Sequence, residues 1–308
     1  MRVVFLGNDP RSVPPLRAVA GSRHDLALVL TRVPRPAGRK GALRPTAVAD
    51  ASRELSLPLR EVETVREGPG LASLGEQAPD VLAVVAYGEI LPKAVLETPR
   101  VAPVNLHFSL LPRLRGADPV RRAILDGDPV TGVTTIRMDE GLDTGPILLQ
   151  AEVAVEEDDD AGRLGERLAE RGGRLLVETL DRLEAGSIEE RPQDGARATV
   201  APKLRPEEEW IDWSDDRERV LRRIRALAPD PGARSTFRGS VLKVLRARAG
   251  EARGAPGEIV PAERGVPMVL TATGAVTLDE VLPEGRRRMR GEDWARGQRI
   301  EAGERLGS

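Results

Sequence analysis

Short, almost wholly apolar runs recur in the first part of this chain, each followed by a polar turn and a segment of helical period. Residues 2–6 form one such run, which ends at Gly7 and leads through Asn8, Asp9 and Pro10 into a helix expected over about 12–20. Residues 26–30 read as a second strand, 46–55 as a helix and 57–61 as a short edge strand. Residues 80–86 are nearly all Val, Leu and Ala, as a strand covered on both faces requires. They run into Y-G-E-I-L-P, a turn at a strand's carboxyl end, where open α/β sheets bind their ligands. Residues 101–108 make the next strand, 119–126 a short helix, and 132–138 and 147–155 are rich in β-formers. A long helix is expected from Asp158, with Leu164, Leu168, Leu175, Leu176, Leu180 and Leu183 near a helical period. Its three leading acids stand where the helix dipole favours negative charge. Strand, turn and helix in repetition predict a doubly wound, Rossmann-like α/β domain over residues 1–184. No G-x-G-x-x-G follows the first strand, so the dinucleotide fingerprint is absent.

The rhythm then changes. Residues 185–204 are rich in Gly, Pro, Glu, Arg and Gln without a period, and read as a linker. Beyond them, one helix near 217–228 precedes the short alternating runs S-V-L-K-V-L-R-A, G-E-I-V, P-M-V-L-T-A and A-V-T-L-D-E-V-L. Gly and Pro separate these runs, which predicts a small closed or partly closed β-barrel over 205–308.

Composition narrows the function classes. The chain has 308 residues, 40% of them apolar, which suits two folded domains or one large α/β domain and excludes a disordered chain. Aromatics are only 2%, so the core must be built from Leu, Val, Ala and Ile. Cysteine is absent, which excludes disulfides, zinc–thiolate sites, iron–sulfur clusters and thiol nucleophiles, and fits a reducing cytoplasm. No apolar run is long enough for a membrane span, and the amino terminus turns polar too soon for a signal peptide. With a formal net charge of -2, a nucleic-acid partner would need a local basic patch. Two segments offer one. Residues 32–44 hold Arg32, Arg35, Arg39, Lys40 and Arg44 without an acid, in a loop rich in Pro and Gly; the other is Arg286, Arg287, Arg288 and Arg290. Each suits either a solvated surface or contact with phosphates.

The chain has two histidines. His24 precedes an apolar strand and reads as structural. His107 alternates with Asn105 in the 101–108 strand, so both side chains share one face. Asp143 follows in a loop bounded by Gly141 and Gly145. On neighbouring strand ends, amide, imidazole and carboxylate would make a compact polar site, or would merely tie two loops together. An imidazole can shuttle a proton near neutral pH, and an amide can donate to a developing oxyanion. Without a good nucleophile, the set suits acyl transfer by direct attack of a substrate amine. Ser109 is the competing nucleophile, but it lacks the G-x-S-x-G elbow. No catalytic metal is expected from one site histidine and no cysteine.

On these residues the chain resembles the 10-formyltetrahydrofolate-dependent formyltransferases, and within them the methionyl-tRNA formyltransferase family. The resemblance rests on A-Y-G-E-I-L-P, N-L-H-F-S-L-L-P-R-L-R-G, M-D-E-G-L-D-T-G-P and A-P-K-L-R-P-E-E-E-W-I-D-W, in that order, and it spans essentially the whole chain. It implies that Asn105, His107 and Asp143 are catalytic. Folate contacts are implied for Tyr87, Gly88, Ile90, Leu91, Ser109, Leu110, Leu111, Pro112, Asp139 and Gly141. Contacts to initiator tRNA are implied for Arg35, Arg39 and Lys40, for Lys203 at the end of the linker, and, in an OB-like carboxyl-terminal domain, for Lys243, Arg287 and Arg288. A cytoplasmic, monomeric enzyme using 10-formyltetrahydrofolate as cosubstrate follows, with an amino sugar nucleotide as the alternative acceptor. The chain departs from the family pattern at Asn8 and Asp9, at Pro34 and at Asp118.

Overall fold

The computed structural model describes residues 1–308 apart from 38–40, 262–264, 302 and 308. It falls into two compact units: residues 1–119, 130–154 and 165–202 form the first, and 120–129, 155–164 and 203–308 the second. Residues 185–202, expected as linker, therefore belong to the first unit, and most of the helix at 119–126 belongs to the second. Two side chains tie that helix to the second unit: Arg122 pairs bidentately with Glu208 at 2.7 and 3.1 Å, and Arg121 donates to the Asp230 carbonyl at 2.8 Å.

Strands of the first unit are β1 (Arg2–Gly7), β2 (Asp25–Arg32), β3 (Arg35–Ala37), β4 (Ala42–Arg44), β5 (Leu59–Val62), β6 (Val81–Val85), β7 (Ala102–His107), β8 (Val130–Arg137) and β9 (Ile147–Ala154). Between them run α1 (Val13–Ala20), α2 (Ala47–Glu54), α3 (Gly68–Gln77), α4 (Lys93–Leu96) and α5 (Pro119–Asp126), and α6 (Ala161–Glu184) follows β9. A seven-stranded sheet has the order β5-β2-β1-β6-β7-β8-β9. From β5 to β7 every pairing is parallel; β8 and β9 are antiparallel additions. The chain winds from β1 out to β5, then restarts at β6 on the other side of β1. This reversal opens a crevice at the carboxyl ends of β1 and β6.

The central strands are what their apolar runs predict. Val3, Val4, Phe5 and Leu6 of β1, and Val81, Leu82, Ala83 and Val85 of β6, are fully buried. Each such side chain contributes about 1.5–3 kcal/mol relative to exposure. Helix α6 starts at Ala161 and not at Asp158, because the Asp160 carboxylate caps it by accepting the Arg163 amide at 2.8 Å. Helix α3 was hidden from sequence reading by its composition, G-P-G-L-A-S-L-G-E-Q, whose glycines blur the period. Gly70 is required there, since a Cβ would lie 1.9 Å from the Thr64 carbonyl oxygen. The basic loop at 31–45 contains the short hairpin β3–β4.

In the second unit, α7 (Arg217–Leu227) precedes β10 (Ala233–Phe237), β11 (Ser240–Gly250), β12 (Ile259–Pro261), β13 (Pro267–Thr271), β14 (Gly274–Pro283), β15 (Met289–Arg290) and α8 (Gly291–Gln298). Its antiparallel sheet runs β10-β11-β14-β13-β12, with β15 added to β14, and forms a half-barrel of the OB-like kind. Aromatic residues are scarce in this chain and concentrate here. Trp213 and Trp294 are 4% and 3% exposed in one apolar core with Phe237 and the inner face of α7. Trp294 meets Phe237 edge to face at 5.2 Å.

Candidate active site

Asn105 and His107 stand two apart on β7, with β6 parallel on one side and β8 antiparallel on the other. Asn105 pairs with Val84 and Ile136, and His107 with Thr134. Because β8 runs backwards, its last residue, Arg137, lies opposite Val104, near the start of β7. Asp143 therefore comes from the loop after a neighbouring strand's end, as the sequence suggested, but that end lies beside the start of β7 and not beside His107. Its loop leaves the far end of β8 and folds back over the sheet face that carries Asn105 and His107. The loop is pinched at its stem, where Arg137 donates to the Pro146 carbonyl at 3.0 Å. Gly145 fits this pinch only as glycine, since a Cβ would stand 1.8 Å from the Arg137 carbonyl oxygen. Inside the loop the Asp139 carboxylate accepts the Gly141 amide at 3.0 Å and the Thr144 hydroxyl at 2.7 Å.

The three side chains meet at one carboxylate. Asn105 Nδ2 donates to Asp143 Oδ1 at 3.3 Å, the Gly116 amide donates to Oδ2 at 2.8 Å, and His107 Nδ1 lies 3.6 Å from Oδ2. On the other side of the ring, Nε2 is 2.9 Å from the Leu114 carbonyl, which can only accept, so Nε2 carries a proton. His107 is 6% exposed and thus shielded from bulk water. The second N–H of the Asn105 amide has no protein partner among the described residues. The arrangement offers an open amide donor beside an imidazole–carboxylate pair able to move a proton.

Ser109 is no free nucleophile. It is fully buried, and its hydroxyl donates to the Arg113 carbonyl at 2.6 Å. Leu111 packs with Ile136 and Ile147, while its amide donates to Thr134 Oγ1 at 3.2 Å and its carbonyl accepts from Gln150 Nε2 at 2.8 Å. In the Tyr87–Leu91 turn, Tyr87 and Leu91 join the core, whereas Gly88 and Ile90 are exposed. The Tyr87 hydroxyl is buried without a hydrogen-bond partner among the described residues, and burial, reinforced by Glu89, pushes its pKa up. Ile90 and Leu142, large apolar side chains on the two loops expected to flank the folate ring, are 72% and 56% exposed. At the switch point a cavity of about 320 Å³ brings Tyr87 and Gly88 together with Asn8, Arg32, Arg35 and Arg44. Glu89 pairs with Arg32 there.

Two departures from the family pattern have structural roles. Asn8 joins three strand ends: its Oδ1 accepts the Thr31 hydroxyl and the Arg32 amide, both at 2.9 Å, and its Nδ2 donates to the Tyr87 carbonyl. Asp9 holds Arg11 bidentately at 2.7 and 3.0 Å, with the buried Asp118 as a second acid acting on the same guanidinium. Sequence reading also missed Gln193, which lies in the expected linker yet donates to the Asp143 and Gly145 carbonyls at 2.7 and 2.8 Å.

The residues expected on tRNA are placed unequally. Arg39 and Lys40 lie outside the described residues. Arg35, Lys203 and Arg287 are exposed. Lys243 Nζ donates to the Pro231 carbonyl at 2.7 Å, and Arg288 pairs with Glu280, so both charges are already engaged within the second unit.

Comparison with known proteins accords with this geometry. Residues 1–180 match the family model described as Formyl transferase, and 203–299 match Formyl transferase, C-terminal domain. A methionyl-tRNA formyltransferase of Pelotomaculum thermopropionicum is 40% identical over 310 residues, covering 100% of this chain and 99% of that protein. Its counterpart in Streptomyces griseus is 43% identical over 310 residues, with both chains covered completely. Among solved structures, HypX from Aquifex aeolicus in complex with tetrahydrofolic acid is similar in fold, with a TM-score of 0.68 at 20% identity over 96% of this chain and 47% of that one.

Proposed function

The chain belongs to the methionyl-tRNA formyltransferase family, and we propose that Asn105, His107 and Asp143 are the groups with which it formylates the α-amine of methionyl initiator tRNA. The formyl donor is 10-formyltetrahydrofolate, which supplies a formyl carbon carried on a nitrogen leaving group. The observation that carries the assignment is the shared carboxylate: Asn105 and His107 both address Asp143 from one face of β7.

The residues divide the work as follows. As the neutral amine bonds to the formyl carbon, the carbonyl electron pair moves onto oxygen, and the open N–H of Asn105 stabilises that oxyanion. His107, whose Nε2–H is taken by Leu114, keeps its Nδ1 side toward the Asp143 carboxylate. The Asp143–His107 pair takes the proton lost by the attacking amine and returns one to the departing nitrogen. The carbonyl then re-forms as the bond to that nitrogen breaks, and no net proton is consumed. Exposed Ile90 and Leu142 supply apolar surface for the donor's ring on either side. Ser109–Pro112 contribute mainly by fixing the wall of this site, because their polar groups are tied into the strands around them.

On the acceptor side, Arg35 with Arg39 and Lys40, and Lys203 with Arg287, approach the RNA backbone. Lys243 and Arg288 do so only by giving up internal partners. All three catalytic side chains come from one chain, so a cytoplasmic monomer suffices for this reading. An amino sugar nucleotide is the weaker acceptor, since the relatives that align end to end, second unit included, are methionyl-tRNA formyltransferases. The deciding experiment supplies the protein with 10-formyltetrahydrofolate and either methionyl initiator tRNA or a small amino sugar nucleotide. Faster transfer to the sugar, or none to the tRNA, overturns the proposal.

A further inference from the structure

Asp143 sits in the left-handed backbone region, at φ 54°, which is uncommon for residues other than glycine although Asp and Asn enter it more readily than most. Its carbonyl and that of Gly145 both accept from one amide group, Gln193 Nε2, at 2.7 and 2.8 Å. The orientation of that amide is not ambiguous. Its Oε1 accepts from Arg115 Nε and Nη2 at 3.0 and 2.7 Å, so only the nitrogen can face the two carbonyls. Arg115 is one residue from Gly116, whose amide holds the Asp143 carboxylate. Gln193 thus closes a ring that fixes Asp143 from behind, through its backbone, and from in front, through its side chain.

The neighbouring residues extend this ring into a strap. Arg191 exchanges two backbone hydrogen bonds with Ile147, at 2.8 and 2.9 Å, just beyond the Asp143 loop. Thr199 Oγ1 accepts the Leu114 amide at 2.8 Å, beside the carbonyl that holds His107. Ala201 donates to the Arg115 carbonyl at 2.7 Å. The strap therefore touches every loop that orients the trio, while none of its side chains reaches a catalytic atom.

We propose that Gln193, oriented by Arg115, is a positioning residue for Asp143, and that residues 191–201 serve as a clamp on the catalytic loops rather than as a passive connector. The inference rests on the catalytic assignment above. A misplacement of about 1 Å at a reacting group can cost on the order of a hundredfold in rate, whereas the folate surface is shared with the Tyr87–Leu91 turn and the RNA surface lies on other residues. Loss of the clamp should therefore appear in kcat far more than in affinity.

The test compares Gln193→Leu, which removes both sets of hydrogen bonds, with Gln193→Glu, which keeps an acceptor for Arg115 but turns acceptor oxygens toward the two carbonyls. Steady-state rates with methionyl initiator tRNA, tetrahydrofolate binding by fluorescence and thermal melting are measured on the full chain. Both variants should lose about ten- to a hundredfold in kcat, with KM and tetrahydrofolate affinity within about threefold of the parent and melting nearly unchanged. Arg115→Lys, which can offer one hydrogen bond but no fork, should fall between parent and Gln193→Leu. Two results overturn the inference: unchanged kcat in Gln193→Leu, or a loss of kcat matched by equal losses in tetrahydrofolate binding and melting. Asn105→Ala, run beside them, separates failures. If it also remains fully active, the catalytic assignment has failed and not merely the clamp.

Discussion

His107 and Asp143 are joined at 3.6 Å through Nδ1 and Oδ2, while the opposite ring nitrogen is held at 2.9 Å by the Leu114 carbonyl. With Nε2 protonated by that contact, a neutral ring would turn a lone pair toward the carboxylate. A proton on Nδ1 makes the contact attractive, and in the proposed mechanism that proton is the one the pair exchanges with substrate.

Replacing Asp143 by Asn keeps the shape of the side chain and removes its charge. Proton transfer by such a pair contributes typically about 10²–10⁴-fold, so Asp143→Asn should lose at least about a hundredfold in kcat. Melting should change little, because the loop is held independently by Asp139 and Gln193. Single-turnover rates on saturated enzyme give the direct reading. A loss below tenfold would remove Asp143 from the mechanism.

Asn105→Ala should lower kcat by about 10²–10³-fold, the cost of one oxyanion donor, equivalent to about 3–4 kcal/mol. KM for methionyl initiator tRNA should stay near its parent value, since the donor acts only as charge develops. A variant with parental turnover would show that another group holds the oxyanion.

Gly145→Ala places a methyl against the Arg137 carbonyl, at 1.8 Å before any relaxation. Overpacking of this kind costs about 1–3 kcal/mol, and here the strain falls on the stem of the Asp143 loop. Denaturant unfolding and kcat measured together should both decline. Parental values for both would mean that the stem opens freely.

Lys203 and Arg287 are exposed basic residues of the second unit proposed to meet RNA; Arg288 is exposed as well but is paired with Glu280. Removing a cation that neutralises one phosphate should reduce the log–log salt slope of tRNA binding by somewhat under one. Lys203→Gln and Arg287→Gln therefore flatten the slope additively, whereas Lys243→Gln changes it less. A slope unaffected by the first two would place the RNA elsewhere.

Glu208 is held down to about 2, chiefly by the Arg122 guanidinium, with the Arg205 amide and side chain adding to it against the cost of burial. A depressed carboxylate stabilises the fold fully above its ordinary value near 4.5, and that contribution disappears as pH falls from there through about 2. The carboxylate keeps 24% of its surface in solvent, so the contribution is on the order of 1 kcal/mol. Glu208→Gln should melt lower than the parent at pH 7, with the gap closing between pH 4.5 and 2. A gap independent of pH would assign the effect to packing.

Much of this was legible in the chain itself, and the limits are physical. Strands β1 and β6 announce themselves because burial on both faces leaves almost only apolar residues, and in β7 the Asn105–His107 alternation places two polar groups on one face. Strand direction has no such signature: an apolar run reads the same whichever way β8 travels, so the route taken by the Asp143 loop was invisible. Helix α3 was lost because Gly70 answers to a carbonyl from another segment and not to helix propensity. Gln193 was unreadable for the same reason. Residues 191–201 have no period of their own, since their order comes from hydrogen bonds to Asp143, Arg115 and Ile147, all distant in sequence.

The pinch at Arg137 and Pro146 separates two kinds of change that the fold can absorb. Because the loop between them leaves and rejoins the sheet at one backbone hydrogen bond, residues can be exchanged within it without altering the pairing of β8 with β9. The sheet fixes the amide and the imidazole, whereas the carboxylate rides on a module closed at its own base. Remodelling of that loop between its stem and the Gln193 contacts would then adjust the space for a donor ring while leaving the proposed oxyanion donor, Asn105, where β7 puts it.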